Sequence, residues 1–190
     1  MANQTSALID ALGLKQTDIL GWSMGSVIVQ ALAVLHPSQV HSLILCATYP
    51  GTGATVPPSR ATLNEFESGD TQKVMATLFP PDQTAAQNTY LTAISSYPSS
   101  PPAPKAIVSA QGHAVDQWWA GQDPAGRRTA DISVPTLIAD GTADRLDPLA
   151  NSQTLTNLIP RATLKLYPDA GHAFLFQDQA FISLIDYLLS

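Results

Sequence analysis

The chain has 190 residues, 45% of them hydrophobic and 13% charged, and a formal charge of −6 at pH 7. So much apolar residue supports one domain with a substantial buried core and excludes low-complexity disorder. The acidic balance, with nine Lys and Arg residues that form no basic run, would repel a phosphate backbone and argues against a nucleic-acid partner.

The first segment, MANQTSALIDALG, lacks the positive start and the apolar stretch of a secretion signal. No apolar run reaches the roughly 18 residues that span a bilayer, because residues 27–35 are broken by Gln30 and stop at His36. A soluble, cytoplasmic protein without a membrane span is expected. Residues 5–12 have helical spacing that ends at Gly13. Residues 18–21 are a short apolar strand, and residues 24–35 a helix with Pro37 beyond it as a stop signal. That helix is apolar nearly all round, which predicts burial between the sheet and other elements.

Residues 41–47 and 134–139 are continuous apolar runs of buried-strand length. The single Cys46 lies in the first of them and reads as a small buried hydrophobe. Further on, 147–158 predicts a helix with Asp147 as its cap, 162–167 a strand, and 176–189 a last amphipathic helix. Strand and helix alternate at both ends of the chain, which predicts a single α/β domain over 1–190, built on a mostly parallel sheet of about four strands. Between them, residues 51–131 hold most of the prolines and several short helical stretches, such as 82–95. They read as a helical cap inserted over the sheet, with one of Trp118 and Trp119 anchoring it.

The stretch DILGWSMGSVIVQ, residues 18–30, carries G-x-S-x-G where a strand must turn sharply into a helix. The pattern alone is a weak signal, but this context gives each residue a task. Gly21 and Gly25 lack a Cβ and so permit a strained turn with close helix packing, which lifts Ser23 clear of the sheet. The helix start offers unsatisfied N–H groups to a developing oxyanion. Met24 N–H is the obvious donor, and Trp22, on the other side of Ser23, is the second candidate for oxyanion or substrate contact.

A serine hydroxyl needs a base, and the base an orienting carboxylate. Of the four histidines, His36 and His41 read as surface residues and His113 falls in the cap. His172 stands in the loop YPDAGHAFLFQD, beyond the strand over 162–167, and so at the carboxyl edge of the sheet that carries Ser23. VPTLIADGTADRLDP presents Asp140, Asp144 and Asp147 after another strand. Asp144 is preferred to Asp140 because it lies far enough past the strand to fold back over the edge.

At these residues the sequence resembles the alpha/beta hydrolase superfamily, in its esterase-like and cofactor-free haloperoxidase-like branch. GWSMGS resembles the nucleophile elbow, GTADRLDP the acid loop and AGHAF the histidine loop. The resemblance implies Ser23 as nucleophile, His172 as general base and then acid, and Asp144 as its partner, with no metal or cofactor. A serine in place of the nucleophilic aspartate of dehalogenases and epoxide hydrolases argues against those reactions.

An ordinary member carries an N-terminal half, with four strands and a His-Gly loop, before the helix that begins here. Without it the second oxyanion N–H is expected to be absent, and one such donor is worth on the order of 3 to 4 kcal/mol. The strand over 18–21 then has an open edge, which invites pairing with another chain. The expectations are a homo-oligomer formed through that edge and hydrolysis of a small, fairly apolar carboxylic ester. The alternative is a catalytically weak or inactive hydrolase remnant that serves as a structural or interaction module.

Overall fold

Helical and continuous apolar patterns alternate in the folded chain as short crossovers do around a parallel sheet. The structure, a computed structural model, describes residues 1–98, 101–177, 181 and 183. In chain order it runs α1 (Ala2–Ala11), β1 (Thr17–Trp22), α2 (Met24–Leu35) and β2 (Val40–Cys46). Four helices follow: α3 (Arg60–Phe66), α4 (Thr71–Leu78), α5 (Thr84–Ser96) and α6 (Lys105–Trp119). The described chain continues with β3 (Thr136–Gly141), α7 (Ala150–Leu158) and β4 (Ala162–Tyr167). The four strands are all parallel, in the order β1-β2-β3-β4.

The apolar runs are continuous because the strands are buried on both faces. Leu43 and Leu45 point to one side, into a cluster with Leu32, Ile138 and Leu155. Ile44 and Cys46 point to the other, against Ala139, Tyr167 and Phe174. Every crossover steps the same way across the sheet, so right-handed connections put α2 and α7 on one face. Leu32 and Leu155 meet there accordingly.

Two helix starts depart from the sequence expectation. α1 begins at Ala2 instead of residue 5, and buries Ala2, Ser6 and Ile9. The helix predicted from 147 begins at Ala150 with Leu149 at its N-cap, so Asp147 does not cap it. The helix predicted over 176–189 lies beyond Gln177 mostly outside the described residues. α2 follows its predicted bounds and is buried on most sides, with Leu35 exposed at its end.

The four helices between β2 and β3 are started by local capping where polar residues allow it. The Ser59 side chain accepts from Thr62 N–H, and Asp70 accepts from the N–H groups of Gln72 and Lys73. Three contacts fasten this segment to the sheet. Trp118 is fully buried and donates its indole N–H to the Tyr49 carbonyl at 3.1 Å. Arg145 reaches Glu65 at 2.8 Å and the Ala76 carbonyl at 3.0 Å. Phe79 and Tyr90 stack edge-on, and Tyr90 meets Trp22 and Phe176 in the same way.

Among the described residues β1 pairs only with β2, and Leu20 on it is 41% exposed.

Candidate active site

β1 ends at Trp22 and α2 starts at Met24, so Ser23 alone turns the chain. Its φ of 55° and ψ of −123° lie where side-chain-bearing residues rarely sit, a strain of about 1 to 3 kcal/mol. The surroundings hold it there. Ser23 N–H donates to the Cys46 carbonyl at 2.9 Å. The buried Ser26 hydroxyl accepts from Cys46 N–H at 3.0 Å and bonds the Gly21 carbonyl. A Cβ on Gly21 would sit 2.6 Å from the backbone of Ser26, so strand and helix touch directly at this point. Gly25 has open space where its Cβ would be, and the expectation of tight packing holds for Gly21 alone. Met24, as the first helical residue, presents an N–H with no intrahelical acceptor.

Two loops beyond β3 and β4 bring the other candidates together. Ala143 N–H donates to the Ala170 carbonyl at 2.8 Å, and Thr142 N–H to the Tyr167 carbonyl at 3.0 Å. A Cβ at Gly141 would lie 2.2 Å from the Ala170 carbonyl oxygen, an approach only glycine permits. The result is a hydrogen bond of 2.7 Å between His172 Nδ1 and Asp144 Oδ2, both side chains buried. The other oxygen of Asp144 accepts the N–H groups of Leu146 and Asp147 at 2.7 and 2.8 Å. Trp22 ties this pair to the elbow: its indole N–H donates to the His172 carbonyl at 2.9 Å, with the two rings 5.7 Å apart.

Behind the pair lie two more buried carboxyls. Asp140 accepts from Gly141 N–H at 2.8 Å and from the Ser152 hydroxyl at 2.6 Å. Burial first, and the Asp144 charge second, hold it well above the ordinary carboxylate range. Asp147 accepts the Asn151 amide at 2.8 Å on one oxygen, while the other has no hydrogen-bond partner. Burial, then Asp140 and Asp144, push it up likewise. A carboxyl raised in the folded state costs nothing while both states are protonated, and lowers stability as pH climbs from 3.8 through its raised value. Asp147→Asn, which keeps the bond to Asn151, is therefore expected to raise the melting temperature at neutral pH and flatten its fall with rising pH. Each kcal/mol is worth about 2 to 4 °C in a chain of this size. Melting curves across pH check this, and an unchanged profile would contradict it.

The remaining predicted residues are dispersed. His36 bonds Asn3 at 2.9 Å at the end of α2, and His41 pairs with Asp18 at 2.7 Å on the surface. His113 is exposed on α6. Cys46 is buried, and burial pushes its thiol well above the usual range. Among the described residues, no group of three or more His, Cys, Asp or Glu side chains could hold a metal ion, and no helix is long and apolar enough to cross a membrane. Sequence reasoning passed over Ser26, Gln30 and Tyr49. The visible signal was polarity: Ser26 and Gln30 interrupt an otherwise apolar helix, and a buried polar side chain requires a partner. Gln30 donates to Thr48 and to the Tyr49 carbonyl, both at 3.3 Å.

A family model described as the alpha/beta hydrolase fold matches residues 1–179. The chain is 30% identical over 168 residues to a 2-hydroxymuconate semialdehyde hydrolase of Pseudomonas putida, covering 87% of the chain and 59% of that relative. It is 25% identical to a pimeloyl-[acyl-carrier protein] methyl ester esterase of Aeromonas hydrophila subsp. hydrophila, over 100% of the chain and 75% of the relative. Among solved structures, an alpha/beta hydrolase fold protein from Chitinophaga pinensis superposes with a TM-score of 0.78 at 23% identity. That match covers 100% of this chain and 70% of the other.

Proposed function

Because the chain belongs to the alpha/beta hydrolase family, we propose that it is a serine hydrolase that cleaves a small, fairly apolar carboxylic ester through an acyl-enzyme. The observation that carries this reading is the 2.7 Å bond between His172 and Asp144. A carboxylate on Nδ1 keeps the proton there and leaves Nε2 free to act as base. Ser23 Oγ attacks the ester carbonyl, its proton passes to His172 Nε2, and Asp144 stabilises the imidazolium. The oxyanion is met by Met24 N–H. Collapse expels the alcohol, which takes the proton from His172. A water activated by the same imidazole then releases the acid.

Two features support an apolar ester in particular. Trp22, whose ring lies 5.7 Å from that of His172, packs edge-on with the partly exposed Tyr90 and Phe176, and such rings favour apolar substrate surface. The Aeromonas relative, similar along the entire chain, is named as a methyl ester esterase. In this reading the helices over 51–131 act as a cap that shapes substrate choice.

The test is covalent labelling with a fluorophosphonate, followed by mass-spectrometric mapping of the adduct. One phosphonyl group on the peptide that contains Ser23 is expected. A folded protein that takes up no label would favour the alternative, a structural or interaction module.

A further inference from the structure

We propose that Trp22 is a positioning residue for His172: its indole N–H holds the main chain of the loop after β4 so that the imidazole stays within reach of Ser23. This rests on the reading of Ser23 as nucleophile and His172 as its base.

The two partners start from distant points. Ser23 follows β1 and His172 follows β4, which stand at opposite ends of the sheet order, three interstrand spacings or roughly 14 Å from each other. The loop after β4 must therefore cross the sheet edge, and its hydrogen bonds show what it is tied to. The Ala170 carbonyl accepts from Ala143 N–H at 2.8 Å, in the loop after β3, and Ala173 N–H donates to the Leu78 carbonyl of α4 at 3.0 Å. Gly171 N–H donates to the Gln177 side chain at 2.8 Å. None of these three bonds reaches β1. The bond of 2.9 Å from Trp22 Nε1 to the His172 carbonyl does, and it comes from the residue that immediately precedes the nucleophile.

That bond acts on the same residue whose side chain Asp144 orients. The carboxylate holds Nδ1 at 2.7 Å, while the indole holds the main-chain carbonyl, so both ends of His172 are restrained. The indole is itself fixed in place. Tyr90 of α5 and Phe176 stand edge-on to it, with ring centres 6.4 and 6.1 Å away. Such packing is non-directional and would outlast the loss of the N–H. The His172 carbonyl would not keep its place: without a donor it would turn toward another N–H or toward water. The imidazole would move with it, and a small displacement of a group that takes a proton slows the reaction.

The experiment is the rate of fluorophosphonate labelling, resolved into the maximal rate and the half-saturating probe concentration, after site-specific replacement of Trp22 by benzothienylalanine. That side chain keeps the shape of the indole and puts sulfur where the N–H was, so only the donor is lost. The maximal rate is expected to fall about five- to tenfold, the size of one net hydrogen bond, with half-saturation unchanged. Fluorotryptophan at the same position keeps the N–H and should label at the wild-type rate. An equal fall in both would overturn the proposal. So would a sulfur analogue whose maximal rate stays within about twofold of the wild type's, even if its half-saturation rises; the hydrolase reading would stand. A wild type that takes up no label would overturn both. Should the sulfur analogue not fold, Trp22→Phe, which also lacks a donor, is expected to show the same fall, and a maximal rate like the wild type's would refute the proposal.

Discussion

Replacing Ser23 by alanine is expected to cut kcat for ester hydrolysis by a factor on the order of 10⁶, the loss that follows removal of the nucleophile from such a triad. The fold should survive the change. The strained φ of 55° is no worse for alanine than for serine, since both carry a Cβ. The bond from this residue's N–H to the Cys46 carbonyl is untouched, and so is the Ser26 hydroxyl that braces the turn. Hydrolysis of a p-nitrophenyl ester, with a melting curve alongside, measures both quantities. Residual turnover above about one per cent of the wild-type rate would point to a different nucleophile and sink the mechanism.

Asp144→Asn should cost about 10⁴ in kcat, the scale known for this change in serine proteases. The local hydrogen bonds give the reason. One oxygen of Asp144 already accepts the N–H groups of Leu146 and Asp147. The amide oxygen of asparagine must take that place, which turns its NH₂ toward His172 Nδ1. That nitrogen then becomes the acceptor, the ring proton moves to Nε2, and the base is lost. Folding should suffer little, because the charge that raises both Asp140 and Asp147 disappears with the substitution. A fall of less than about a hundredfold would mean that Asp144 does not set the imidazole tautomer.

The elements legible in the sequence are those whose burial is simple. β2 reads as one apolar run because Leu43 and Leu45 pack on one face while Ile44 and Cys46 pack on the other. α2 has a clear start after the turn residue and a proline stop. Asp147 misled because an aspartate near a helix start ordinarily caps it. Here its carboxyl turns inward and takes the amide of Asn151 instead. Ser23, Asp144 and His172 could be proposed from the sequence because each stands in a loop after a different strand, and the bond between His172 and Asp144 joins two of those loops. What braces them could not be proposed. The indole bond from Trp22 to the His172 carbonyl spans residues far apart in sequence, and the approach of Gly141 to Ala170 depends on how two loops pack.

Ser23 belongs to the pair β1–β2, whereas Asp144 and His172 follow β3 and β4; residues 47–135 lie between the two pairs. Each pair can zip up around a short helical crossover, but joining β2 to β3 must close that long intervening stretch, a non-local and therefore slow step. During refolding from denaturant, helical circular dichroism should return ahead of turnover. On the proposed mechanism, ester turnover would time the meeting of the two halves, and nicking within 47–135 would delay that meeting while leaving Ser23, Asp144 and His172 intact.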